Sequence, residues 1–440
     1  MPLRSKKMGC SHGIMRTVPI GLYISVPFCR TKCSYCNFAS DVFSKAAYEN
    51  YVSHLVEDIG KARQSAAELG CAVGSAEGGS SDDSADSIYL GGGTPSILDA
   101  AQLLRIFAAV REEFVVTPDA EITVECAPGT LTSALIETLL QCGVNRVSLG
   151  VQSFVDPEAQ SVGRLHKRST VLEEIARLRA AGLDNISVDL IAGLPYQTAK
   201  SWDFSLSETI AAGVQHVSVY MLEVDEDSRL GRELTAGGAR YHAHFVPDDD
   251  ATTDFYQQAC EMLGAANIVQ YEISNFARSP LRSKNGGLHR GESRSYESRH
   301  NLKYWTRQPY LGFGVDAHSM LMKAKHCQAV RFATPDSLDA YMNRAGHTVT
   351  PVSAQAAIEE TFFLGLRLNR GLDLAGVRAE FGSEAVAVRE SAIQQSVQDG
   401  LIDQQGTVLR LTSRGRVLSN EVFARFLPEQ SKKQKWEPVT

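Results

Sequence analysis

The segment GLYISVPFCRTKCSYCNF, Gly21 to Phe38, decides the fold. An apolar, β-branched run ends at Val26, and thiols follow at once at Cys29, Cys33 and Cys36, spaced C-x3-C-x2-C. A strand handing straight to a chemically loaded loop is the opening unit of a β-then-α fold, in which the loops after the strands line the ligand face. Iron–sulfur clusters take cysteine thiolates, and three on one short loop can hold three corners of a [4Fe–4S] cubane, leaving the fourth iron open. The amino and carboxylate groups of S-adenosylmethionine (SAM) can chelate such an iron. Structural zinc, the alternative, takes four protein ligands, usually as paired C-x2-C units, and no second Cys pair or Cys/His unit stands at a suitable spacing. The other cysteines, Cys10, Cys71, Cys126, Cys142, Cys260 and Cys327, read as small core or surface residues.

Outward from this segment, short apolar runs alternate with helix-period stretches. The spacing predicts strands at Gly21 to Val26, Ser87 to Leu90, Glu121 to Glu125, Arg146 to Gly150, Asn185 to Leu190 and His216 to Leu222. Between them, stretches such as Ala100 to Phe114 and Val171 to Ala181 place apolar residues every three or four positions, as amphipathic helices do. Repeated βα units require right-handed crossovers and build a parallel sheet, so the class is α/β, an open sheet or a closed or partial barrel. Two polar stretches interrupt the pattern, GSAEGGSSDDSAD at Gly74 to Asp86 and SPLRSKNGGLHRGESRSYES at Ser279 to Ser298, and both read as mobile surface insertions. From about Pro351 the pattern changes to helices and a small hairpin, a winged-helix-like module.

With 43% hydrophobic and 22% charged residues, the 440-residue chain has material for a large core and a further module, which excludes disorder of the whole. A net charge of -7 gives no general attraction to nucleic acid or anionic membrane, despite local basic stretches at Arg4 to Lys7 and Lys323 to Lys325. The C-terminal module mixes charge signs, so its shape implies no DNA role. No apolar run approaches the roughly 20 residues a membrane span needs, and the N-terminus lacks the apolar stretch of a secretory signal. The expected location is cytoplasmic.

The motifs occur in an order that resembles the radical-SAM family containing the oxygen-independent coproporphyrinogen III oxidases and the HemW-type haem chaperones. They include the cysteine triad, GGGTP at Gly91 to Pro95, EITVE ending at Glu125, GVQSF, GRLH, SVDLIAGLP and, at His300 to Trp305, HNLKYW. The resemblance spans about Ile20 to Leu427. It implies a partial (β/α)6 TIM-like barrel with a small C-terminal winged-helix-like α+β domain. The implied boundaries are a flexible N-terminus at 1–19 and a barrel core at 20–275 with the insertion 74–86. A connecting region follows at 276–350 with the insertion 279–298, then the C-terminal domain at 351–427 and a disordered tail at 428–440.

Carried over position by position, Tyr23 resembles the family's SAM-contacting tyrosine, and Gly92, Gly93 and Thr94 its SAM-binding loop, where glycines let backbone N–H groups approach a ligand. Glu125, Gln152, Arg164 and Asp189 match polar positions of the SAM region. A carboxylate at the end of a strand can also accept from ribose hydroxyls or the SAM ammonium.

Two features weigh between the family's branches. The oxidase motif continues with a further cysteine two places after the third, where this chain has Phe38, as the chaperone branch does. The HNxxYW signature, with His300, Asn301, Tyr304 and Trp305, is that of the chaperones and implies haem contact, an imidazole being a good iron ligand and aromatic faces covering a porphyrin. From local chemistry alone, a histidine among aromatics is more often a hydrogen-bonded structural residue. The cysteine that chaperones often carry shortly before this histidine is absent from the run Tyr296 to Arg299. The resemblance therefore implies a haem chaperone delivering to a membrane-bound respiratory haemoprotein, with a coproporphyrinogen III oxidase as the alternative. His318 is a second pocket candidate, and the His242/His244 pair reads as a solvated loop because no third metal ligand is evident.

Overall fold

The computed structural model describes residues 18–71, 84–279, 295–322 and 329–427. Both basic stretches, Cys10, Cys327, the expected tail and most of the two polar insertions lie outside the described residues, as does nearly all of the N-terminal segment.

Six parallel strands follow one another in space as in sequence: β1 (Ile20–Val26), β2 (Ser84–Gly92), β3 (Val115–Cys126), β4 (Arg146–Gln152), β5 (Ile186–Ala192) and β6 (His216–Met221). Helices such as Lys45–Gly60, Ala100–Glu113, Arg168–Ala180 and Ala199–Ala211 make the crossovers. Helix Ala100–Glu113 starts where the local chemistry stops competing with it: Asp99 accepts from the Gln102 backbone N–H at 2.9 Å, and the Gln102 side chain accepts from the Asp99 N–H at 3.1 Å. Shorter strands extend the sheet on both sides: β7 (Ile268–Gln270), β8 (Asn275–Arg278), β9 (Tyr310–Phe313), β10 (His318–Met322), β11 (Ala329–Ala333) and β12 (Thr348–Val352). The sheet runs β12-β11-β10-β9-β1-β2-β3-β4-β5-β6-β8-β7, with β9 parallel to β1 and β8 antiparallel to β6. It is the open, partial barrel expected of the class.

One boundary differs from expectation. β2 begins at Ser84, inside the range assigned to the first insertion; Ser84 and Ala85 pair with Val115 and Val116, and Asp86 is held by Lys303 at 2.7 Å. Composition misplaced these residues because a small, polar strand start is indistinguishable from a loop until its partner strand and buried cation are in place.

Each parallel strand has two unlike faces. Leu22, Ile24, Ile88, Leu90, Val124, Val147, Leu149, Val188, Leu190 and Val217 are buried beneath the helices, each contributing about 1.5–3 kcal/mol by leaving water. The alternate positions turn inward and are largely polar: Tyr23, Ser25, Ser87, Tyr89, Thr123, Glu125, Arg146, Ser148, Ser187, Asp189, His216 and Ser218. Register aligns them in layers, Tyr23 with Tyr89, Thr123 and Arg146, and Gly150 with Asp189 and Ser218. The lumen is therefore a polar chamber with an apolar jacket.

The C-terminal domain has its own three-stranded sheet, β13 (Leu372–Asp373), β14 (Ile402–Gln405) and β15 (Val408–Leu411), in the order β13-β15-β14, and its own core including Phe362, Leu366, Ile393, Leu409 and Val422. It docks on the barrel through Arg307–Glu360 at 3.1 Å and Arg367–Glu272 at 3.2 Å.

Candidate functional site

The thiol loop is anchored at its root. Phe28 is fully buried and stacks on Tyr48 with ring centroids 4.1 Å apart, so the chain leaves β1 in one direction. The glycine run at the end of β2 meets that root directly: the N–H of Gly93 donates to the Val26 carbonyl and that of Thr94 to the Phe28 carbonyl, both at 2.8 Å. A Cβ on Gly93 would stand 2.7 Å from both carbonyls, and Gly92 has φ +98°, so side chains are excluded here by contact and by backbone geometry.

Around the loop, the Thr94 hydroxyl lies 3.7 Å from Cys29 Sγ and Arg164 reaches Cys33 Sγ at 3.6 Å. Arg164 also donates to the Gly150 carbonyl, while its Nε is buried without a partner. Burial pushes the Cys29 and Cys36 thiols above their ordinary value, so their thiolates need a stabilising partner beyond Arg164 and Thr94. Three thiols on one loop, a cation aimed at them and a backbone cradle beside them fit the donor set of a cluster held at three corners. Among the described residues, no three His, Cys, Asp or Glu side chains converge as they would on a single metal ion.

Two carboxyls face the same mouth of the barrel. Glu125 accepts from the Tyr89 hydroxyl at 2.7 Å, and burial pushes its carboxyl up to about 7 despite that bond. Asp189 accepts from Ser148 at 2.9 Å and is likewise raised by burial. Gln152 closes β4 with φ +67°, a strained value for a residue with a side chain, which fits a site where backbone geometry is over-determined. Tyr23 stacks on Tyr89 at 6.2 Å. The structure thus brings Cys29, Cys33, Cys36, Tyr23, Gly92, Gly93, Thr94, Glu125, Gln152, Arg164 and Asp189 around one mouth. His318 begins β10, 54% exposed and 3.8 Å from Asp316. Tyr89 and Ser148, which position the two carboxyls, were not singled out from sequence; strict alternation of polar residues along β2 and β4 is the signal that carries them.

His300, Asn301, Tyr304 and Trp305 are elsewhere. Their helix, Arg299–Trp305, closes the opposite end of the barrel. Ser298 caps it, Arg299 pairs with Asp119, and Lys303, 1% exposed, pairs with Asp86 and donates to the Pro19 carbonyl at 2.7 Å. Both ring nitrogens of His300 are engaged, Nδ1 with Ser87 Oγ at 3.1 Å and Nε2 with the Tyr304 hydroxyl at 2.9 Å, and the residue is 1% exposed. In this arrangement neither nitrogen is open to an iron. The Trp305 ring lies under the Arg367 guanidinium at 4.1 Å, which ties the motif to the C-terminal domain. The rings of Tyr89 and Tyr23 lie between the two ends, 5.4 and 6.3 Å from that of His300.

Burial, with the Lys303 charge adding to it, holds the His300 imidazole down to about 3. Unfolded, the same ring takes a proton near its ordinary value of 6.5, so acid favours the unfolded chain. The resulting stability is complete above pH 6.5 and is lost as the pH falls toward 3. His300→Gln removes this dependence. Between about pH 6 and 4 the wild type should lose stability faster than the variant by about 1.4 kcal/mol per pH unit in urea unfolding. Parallel slopes would contradict neutral burial.

Comparisons with known proteins agree with this layout. The Radical SAM superfamily model matches residues 23–206 and the HemN C-terminal domain model residues 352–418. The chain is 30% identical over 408 residues to the heme chaperone HemW of Bacillus subtilis, covering 92% of this chain and 99% of that one. It is also 30% identical to HemW of Escherichia coli, over 69% of this chain and 71% of that one. A bovine mitochondrial relative, radical S-adenosyl methionine domain-containing protein 1, is 30% identical over 80% of this chain and 74% of its own length. Among solved structures, coproporphyrinogen III oxidase (HemN) from Escherichia coli superposes with a TM-score of 0.73 at 22% identity, covering 93% of this chain and 90% of that one. At that identity the likeness shows the shared fold.

Proposed function

Since the chain belongs to the HemW family of radical-SAM proteins, we propose that it is a haem chaperone, binding haem and a SAM-coordinating [4Fe–4S] cluster and passing haem to a haemoprotein acceptor. The acceptor is a respiratory protein at the membrane, met from the cytoplasm; among the described residues no helix of this chain is long and apolar enough to cross a membrane. The observation that carries the proposal is the end-to-end match to the heme chaperones, with barrel and C-terminal domain both included. Phe38, 45% exposed beside the thiol loop, supports the same branch, because a cysteine occupies that place in the oxidases.

Cys29, Cys33 and Cys36 would hold the cluster. When bound, it supplies an electron beside an iron that SAM can chelate. The chain's own residues then do the positioning. The glycine run brings backbone against the loop, and Arg164 places positive charge beside Cys33. Glu125, fixed by Tyr89, offers a carboxylate to the ammonium or ribose of SAM.

The test pairs two measurements on the reduced, reconstituted protein: a haemin titration, and incubation with SAM and coproporphyrinogen III. The expected result is saturable haem binding without decarboxylation. Formation of protoporphyrinogen would assign the oxidase activity instead.

A further inference from the structure

The motif GRLH, Gly163 to His166, follows the short helix Asp156–Ser161 and turns back against the end of β4. Leu165 is 69% exposed, whereas His166 is buried and Arg164 reaches inward. Two consecutive carbonyls of β4 receive these two side chains: Arg164 donates to that of Gly150, and the His166 ring nitrogen Nε2 lies 3.1 Å from that of Val151. A carbonyl only accepts, so the bond places the imidazole proton on Nε2. Burial, with the Arg164 charge adding to it, holds the imidazole down to about 4, so the ring is neutral and carries that one proton.

The Val151 carbonyl can take this bond because β4 bulges there. Gly150 pairs with Asp189 and Gln152 with Leu190, which leaves Val151 as an extra residue opposite β5. The same carbonyl accepts the Ser153 N–H at 2.9 Å, closing a three-residue turn centred on Gln152, whose φ of +67° is that of the rare, strained form of such turns. A turn of this kind persists where its surroundings hold it. His166 holds it on one side, and on the other the Ser153 hydroxyl donates to the buried Glu158 at 2.7 Å. What the turn sets is the direction of Gln152. The amide nitrogen of Gln152 and the Arg164 guanidinium both crowd Gly150, where a Cβ would stand 3.1 and 2.6 Å from them. Arg164 is turned to Cys33 Sγ, whereas the Gln152 amide makes no hydrogen bond among the described residues. An amide at the mouth with its donors and acceptor uncommitted is a group that can meet a polar ligand.

Resting on the reading above that SAM lies at this mouth, we infer that His166 is a positioning residue for SAM: by holding the Val151 carbonyl it locks the turn that aims the Gln152 amide at the nucleotide. The imidazole itself touches no ligand. It acts as outer partners of binding groups do, by removing the freedom of the side chain that makes the contact. Without its N–H the Val151 carbonyl keeps only the Ser153 donor, and the strained turn can relax and turn the amide away from the mouth.

The experiment titrates the full-length, reduced, cluster-reconstituted protein with SAM, followed by the change in the electron paramagnetic resonance of the cluster. Iron and sulfide analysis and circular dichroism are recorded on every variant. His166→Phe and His166→Leu, which fill the space without a donor, should weaken SAM by about tenfold while cluster content stays that of the wild type. His166→Gln, whose amide can offer an N–H near the place of Nε2, should return the affinity to within about threefold of the wild type. With Gln152→Ala already in place, His166→Phe should change the affinity by less than about twofold, because the residue it acts through is gone. Unchanged SAM affinity in both apolar variants would overturn the proposal. So would apolar variants that unfold or lose the cluster while His166→Gln keeps both, since the bond would then serve the fold alone. A wild-type cluster indifferent to SAM would overturn the SAM reading itself, a result separate from either.

Discussion

Alanine in place of Cys29, Cys33 or Cys36 should yield a folded chain that retains neither iron nor sulfide after anaerobic reconstitution. Each thiol is needed because a cubane that keeps one iron open for SAM has no protein ligand to spare. Burial sharpens the effect. The Cys29 and Cys36 thiols are raised above their ordinary value, so a loop with two thiolates would carry buried charge without the cluster iron that offsets it. Folding should survive, since the loop's attachment to the barrel runs through Phe28, its stack on Tyr48 and the hydrogen bonds from Gly93 and Thr94. Iron and sulfide analysis with far-UV circular dichroism checks both halves. A single variant that keeps a full cluster would refute the ligand assignment, and a collapse of the circular dichroism signal would refute the separation of loop from core.

The second large effect lies at the other end of the lumen. Arg146, 2% exposed, donates to the Tyr296 carbonyl at 2.9 Å and sits 3.7 Å from Glu121, itself only 11% exposed. Glu121 in turn accepts the His300 N–H at 3.2 Å. Arg146→Met leaves that carboxylate without its cation and the Tyr296 carbonyl without its donor, in a chamber shut off from water by helix Arg299–Trp305. Breaking a buried pair from one side typically costs about 3–5 kcal/mol, more than the net value of the pair, because a charge is stranded. Urea unfolding of the barrel should show a loss of that size. Adding Glu121→Gln should recover part of it, as the stranded charge is then removed. A loss below about 1 kcal/mol would mean that water reaches Glu121 and that the helix does not seal the lumen.

Much of this architecture is legible in sequence, for definite reasons. β1 and β4 to β6 carry enough β-branched residues, bounded by turns, to declare themselves, and the thiols follow β1 immediately. The start of β2 does not, because Ser84 and Asp86 become strand only through β3 and Lys303. Strands β7 to β12 are too short, or too close to polar insertions, for periodicity to separate them from loops. At the site, residues close in sequence to the thiols or at strand ends were identifiable. Those defined by contacts between strands were not: Tyr89 meets Glu125, and Ser148 meets Asp189, only once neighbouring strands are paired. His300 shows the converse. Its motif was plain, yet the sequence could not show that Ser87 and Tyr304 occupy both of its nitrogens.

The C-terminal domain gives the barrel's closed end a second support. Arg367 stacks on Trp305 while pairing with the fully buried Glu272, and Glu360 receives both Arg307 and Arg331. These contacts link the HNxxYW helix to the C-terminal domain and leave the thiol mouth to the loops after the strands.

The central claim is that three cysteines hold a cluster with one iron open to SAM. It is tested most directly by electron paramagnetic resonance with nuclear double resonance on the reduced, reconstituted protein, recorded before and after adding SAM labelled at its amino nitrogen. The account predicts that SAM changes the cluster signal and that the labelled nitrogen couples to it. A cluster signal indifferent to SAM, or a preparation that never contains iron and sulfide, would contradict it.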